Sequence, residues 1–222
     1  MKNVSATRVV ASTVGVLVGL AGIEHGIFET LQGNVAIAGF MIDAIGPAQR
    51  IWAYGGEAAV TIVPNFLATG ILAVIVGLGV TVWAAGFLQK RFGPGVLMLL
   101  STVLWLVGGG FAPPIFFGIP ASLTATRIGK PLRFWRNVLR GTVRRFLSKT
   151  WLGILVAFVL CFVISVAIII FGWPLTAFLD AEAALGALTG FAFGYLGLML
   201  LSIVAAFAHD IEHWADRGKP YG

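Results

Sequence analysis

Charge is what this chain has least of. Of its 222 residues only 11% are Asp, Glu, Lys or Arg, against about a quarter in a soluble globular domain. Nine residues are acidic and three are histidine. Cys161 is the single cysteine, which excludes an internal disulfide and a cysteine-based metal site. There is no dinucleotide fingerprint and no serine nucleophile elbow. No P-loop lysine follows the glycine runs. The sequence therefore carries no ready-made enzymatic signature, and it shows no internal repeat, low-complexity tail or large soluble domain.

What fills the chain is apolar. Hydrophobic residues make up 59% and the mean hydropathy is +0.96. Several windows of about 20 residues lack charge, the length a helix needs to cross a bilayer. Barrel strands alternate apolar and polar over about ten residues, and these runs do not. The composition predicts an all-α, polytopic transmembrane bundle forming one integral membrane domain over 1–222.

Full spans are expected at roughly 9–28, 58–87, 151–171 and 184–208. The start imitates a signal peptide, with Lys2 and Arg8 before an apolar run. That run continues past Ile27, so a retained first span is expected. The connection 32–57 is long for a structureless loop, which predicts a short interfacial or half-inserted helix. Residues 95–123 read as a broken or re-entrant pair around Gly108, Gly109, Gly110, Pro113 and Pro114, for five to six membrane segments in all. Three glycines and two prolines there would break a helix near mid-membrane. Broken helices are tolerated where protein buries them or where they line water, so these residues are candidate pathway-lining positions.

Basic residues orient the bundle. If 95–123 returns to its starting side and the N-terminus is inside, 14 of the 15 lysines and arginines lie inside. If it crosses once, 11 do. The positive-inside rule favours the hairpin and a cytoplasmic N-terminus, in a protein of the cell membrane. The segment 126–150 carries eight of these basic residues and no acid. Within it Leu132, Trp135, Leu139, Val143 and Phe146 recur at three and four, with Arg133, Arg136, Arg140, Arg144 and Arg145 largely between them. This predicts an amphipathic helix whose arginines meet anionic lipid headgroups. The net charge of +6 resides mostly there, and nucleic acid is not an expected partner.

Two spans carry small-residue stripes: Gly15, Gly19, Gly22 and Gly26 in the first, and Gly186, Gly190, Gly194 and Gly197 in the last. Such faces allow close helix packing. The first and last spans are therefore expected to be neighbours, or to meet another subunit in a homo-oligomer or larger complex.

Glu24, His25 and Glu29 are the main functional lead. Ionisable groups in a span cost about 2.5–3.5 kcal/mol each on insertion scales. His25 and Glu29 are i,i+4 neighbours on or beside the glycine stripe. Helical projection turns Glu24 nearly the opposite way. Glu57, just before the second span, joins from the same side of the membrane. Imidazole and carboxylate together can bind a proton or a cation, transition metals included. His209 and His213 form a second, weaker metal candidate at i,i+4, without the H-E-x-x-H pattern. The sequence identifies no cofactor. It is read first as a small transporter or channel-like protein for protons or a cation. An accessory subunit or lipid-binding scaffold comes second. A membrane-embedded enzyme comes last, because no complete catalytic constellation is visible.

Overall fold

A computed structural model describes residues 5–172 and 175–214. The architecture is mostly helical. Four helices are long and apolar enough to cross a membrane: α1 (Ala6–Leu31), α2 (Phe66–Gly86), α6 (Gly141–Phe171) and α7 (Ala181–Glu212). Shorter helices are α3 (Gly93–Leu106), α4 (Ile119–Ala125) and α5 (Arg133–Val138). A π-helical turn, Pro113–Gly118, leads into α4.

Local signals set the helix ends. Asn65 caps α2 by accepting from the Ala68 amide at 3.1 Å, and Asp180 caps α7 by accepting from Ala183 at 2.8 Å. Each satisfies one of the orphan amides of a first turn. Gly172 ends α6 in the left-handed conformation, φ 71°. The Ser5 hydroxyl accepts from the Arg8 amide at 3.4 Å. Asp210 of α7 completes that cap. It accepts from the Ala6 amide at 2.9 Å, from the Thr7 amide at 3.2 Å and from the Ser5 hydroxyl.

α1 is the buried centre. Its glycine stripe packs mainly on α2, not on α7. A Cβ at Gly19 would stand 2.6 Å from the Gly77 carbonyl oxygen, and one at Gly26 would stand 2.6 Å from that of Gly70. Gly15 faces Ala84 and Gly22 faces Leu104. α7 does reach α1, but its own glycines do not mediate it: a Cβ at Gly186, Gly190, Gly194 or Gly197 meets nothing within 4 Å. The expected pairing of the two stripes is thus corrected. The partner face on α2 is built from Gly70 and Gly77, which the stripe count did not single out.

The segment 32–57 holds no helix. It contributes β1 (Met41–Asp43), which pairs antiparallel with β2 (Ala58–Val60), Ile42 opposite Ala59. The second membrane-length helix therefore begins at Phe66, not near residue 58. The intervening loop docks by Trp52, whose Nε1–H donates to the Ile169 carbonyl of α6 at 2.9 Å. Gln32 ties the end of α1 to the strand, donating to the carbonyls of Asp43 (3.0 Å) and Ala44 (2.8 Å).

The break after α3 is a true reversal of the chain. Leu104 sits at Gly22, Gly108 at Glu29 and Gly110 at His25; on the return, Gly118 lies beside Ser101 and Val18. The outer edge of β2 satisfies the broken backbone. The Gly108 amide donates to Val60 O and the Phe111 amide to Ala58 O, both at 2.9 Å, and the Ile62 amide donates to Leu106 O at 2.9 Å. Thr69 Oγ1 adds a bond to Val107 O at 2.7 Å. Four partners thus replace those that a continuous helix would have supplied.

The basic segment is not one amphipathic helix. α5 ends at Val138, Arg140 is extended (ψ 138°), and α6 starts at Gly141. Leu132 and Leu139 are buried in the protein, and the Trp135 ring packs 5.2 Å from Phe207 of α7. Val143 and Phe146 are exposed on the first turns of α6. The apolar spacing is helical throughout, but the bend lets its first half pack on α7 and turns its second half outward. α6 accordingly begins about ten residues before the predicted span.

Candidate functional site

His25 occupies the penultimate turn of α1 and is 2% exposed. Its Nδ1 lies 2.9 Å from the Ala21 carbonyl oxygen one turn earlier and 3.0 Å from Glu24 Oε2. Its Nε2 lies 2.7 Å from Glu57 Oε2. The β-hairpin places Glu57 there, because β2 begins at the next residue and the Ala44 amide bonds the Glu57 carbonyl at 2.8 Å. One ligand atom from each of Glu24, His25 and Glu57 lies within 4.8 Å of the others.

The three groups border a cavity of about 190 Å³. Its other walls include Phe111 and Pro113 from the reversal, Phe162 and Ser165 from α6, and Tyr195 from α7. This explains why Glu24 belongs to the site, contrary to its projected direction. The projection measured orientation against the glycine stripe, which faces α2. The cavity lies on the α6–α7 side, and His25 stands between the two.

Glu29 is placed differently. It is fully buried, and neither carboxylate oxygen has a hydrogen-bond partner. It lies against Gly108, where a Cβ would overlap its oxygens, and no ion pair joins it to His25 among the described residues. The expected His25–Glu29 pair is therefore replaced by Glu24–His25–Glu57, with Glu29 one turn further along. Gly108 and Gly110 have positive φ, 92° and 95°. A Cβ at Gly110 would stand 2.8 Å from His25 Nε2. Of the reversal, Pro113 lines the cavity, with Phe111 and Ala112. Gly108 lies against Glu29 and Gly110 against His25 instead, Gly109 packs on Leu104 and Pro114 is buried.

Electrostatics sharpen the arrangement. No lysine or arginine pairs with Glu24, Glu29 or Glu57 among the described residues; Arg50 pairs with Asp43 and Arg144 with Glu212 elsewhere. A carbonyl oxygen can only accept, so Nδ1 of His25 carries a hydrogen. In a neutral ring Nε2 is then an acceptor, facing a carboxylate oxygen. Two acceptors at 2.7 Å require a proton or a cation between them. Burying charge without such a partner is costly.

The second candidate lies at the other end of the bundle. His209 and His213 stack, ring centroids 4.2 Å apart. His213 Nδ1–H donates to the His209 carbonyl at 2.9 Å. His209 Nδ1 is 3.6 Å from Asp210 Oδ1, and Asp210 is engaged at the start of α1. Both histidines border a groove with Arg145 and Lys149. They form no third-ligand cluster with an acid among the described residues, and the length of α1 separates them from His25. Of the remaining arginines, Arg133 and Arg136 lie on α5, and Arg140 is at the bend.

Fold and site together define a helical bundle with four membrane-length helices and a buried His–carboxylate centre. No family model, no curated protein and no solved structure matches this chain.

Proposed function

We propose that the chain is a small integral membrane protein that moves protons or a cation through the centre formed by Glu24, His25 and Glu57. The observation that carries this reading is the 2.7 Å approach of His25 Nε2 to Glu57 Oε2 on the wall of a cavity. Such a pair binds and releases a positive species without changing the fold around it. Glu29, buried and without a partner, is the second stop. The reversal at 107–112 enters the bilayer and returns to its starting side, its backbone shielded by β2. The N-terminus is then cytoplasmic, and the basic segment 126–150 faces anionic headgroups of the cell membrane.

The test is flux into liposomes holding the purified protein. Wild type acidifies or loads the lumen under an imposed gradient. Glu57→Gln and His25→Ala reduce the rate at least tenfold. Equal rates in the variants, or no flux of protons or any cation tried, overturn the reading.

A second reading, an accessory subunit, is favoured by one observation. The four glycines of α7 face open space, as a stripe awaiting another helix would. Co-purification of the chain with a fixed membrane partner supports it.

A further inference from the structure

We infer that Glu24, His25 and Glu57 form a centre for one divalent transition-metal ion, bound through His25 Nε2 and one oxygen of each carboxylate. The inference names the cation of the centre described above and rests on that centre's being a cation site.

Charge makes the first argument. Glu24 and Glu57 bring two negative charges to a neutral imidazole, and Glu29 lies one turn away. No basic side chain answers them among the described residues. A proton on His25 offsets one charge, whereas a divalent ion offsets both. Glu24 Oε1 is also buried without a hydrogen-bond partner, which leaves it available as a ligand atom.

Ligand orientation makes the second. Metal-binding imidazoles typically donate the other ring N–H to a carbonyl or carboxylate, which fixes the tautomer. His25 Nδ1 does so toward Ala21 O at 2.9 Å, with Glu24 Oε2 at 3.0 Å. In the neutral ring Nε2 then presents its lone pair toward Glu57.

Donor type makes the third. One imidazole nitrogen with two carboxylate oxygens suits zinc, iron, cobalt or manganese better than calcium or magnesium, which prefer all-oxygen sites. Metal–ligand bonds of about 2.0–2.2 Å require Nε2 and Glu57 Oε2 to part slightly from 2.7 Å. Glu57 borders the cavity, into which its side chain can shift. Three protein donors leave at least one coordination position, which opens on the cavity.

The test is metal retention by the full chain in detergent, with any affinity tag removed. Cobalt(II) and zinc(II) are added singly and excess is washed out. Wild type retains about one ion per chain, and the cobalt form shows a visible ligand-field band. His25→Ala and Glu57→Gln each weaken binding at least tenfold. The paired variant His209→Ala, His213→Ala leaves binding unchanged. Failure of helical, monodisperse wild type to retain either ion overturns the inference, as does loss of the ion only in the His209, His213 variant. Glu57→Gln is nearly isosteric, so its effect separates ligation from folding. Proton flux without metal retention sinks this inference alone; metal retention without flux sinks the transport reading alone.

Discussion

The glycines of α1 and those of α7 recur at nearly the same spacing, but their surroundings differ completely. On α1, Gly19 and Gly26 lie against the backbone of α2, so close that a Cβ would stand 2.6 Å from a carbonyl oxygen. On α7, the four glycines meet nothing within 4 Å. The rest of each helix agrees: 61% of the apolar window of α1 is buried, against 39% for α7. A small-residue stripe states that a backbone can be approached closely. Whether anything approaches depends on a matching face elsewhere, and α2 provides one with Gly70 and Gly77. The helix that carries Glu24, His25 and Glu29 is thus the tightly packed one.

The largest expected effect tests the packed side. Gly19→Val drives a branched side chain into the backbone of α2, where no rotamer relieves it. A loss of about 3 kcal/mol or more is expected, read as failure to remain monodisperse or as a steep fall of the thermal midpoint in detergent. Next is Gly110→Ala, which combines a strained positive φ with a contact on His25. A cost of about 1–3 kcal/mol follows from the strain alone. Metal retention should fall more than stability, which a thermal scan beside a metal assay distinguishes. Asp210→Ala removes three bonds at the start of α1 and should cost about 1–2 kcal/mol. Amide exchange should rise at Ala6 and Thr7 first. Smallest is Gly190→Leu, expected within about 0.5 kcal/mol for the isolated chain. If the same variant dissociates a native oligomer on sizing columns, the open stripe is an interface and the contrast between the helices disappears on assembly.

Much of this organisation was readable in the residues. The four long helices follow from uncharged runs, and the reversal after α3 follows from three glycines and two prolines. Glu57 could be joined to His25 because the end of one span and the start of the next share a side. The β-hairpin was not readable. Its strands are three residues each, too short for a period of two to register, and β2 exists largely because two neighbours need its edge. Glu24 was misjudged because a helical wheel gives direction relative to a stripe, and the stripe faced away from the cavity. The bend at Arg140 was hidden for a related reason: apolar spacing continues through it, although the two halves pack on different surroundings.

The cap on α1 has a consequence in time. Ser5, Ala6 and Thr7 are bonded by Asp210, more than 200 residues later in the chain. Chains are synthesised at about 5–20 residues per second. The first helix therefore waits on the order of 10–40 s for the residue that closes its first turn. During that interval α2 and the reversal can dock on its glycines, but its leading end stays loose. A truncated chain ending before α7 would assemble most of the buried centre and still lack the bond that fastens its beginning to its end.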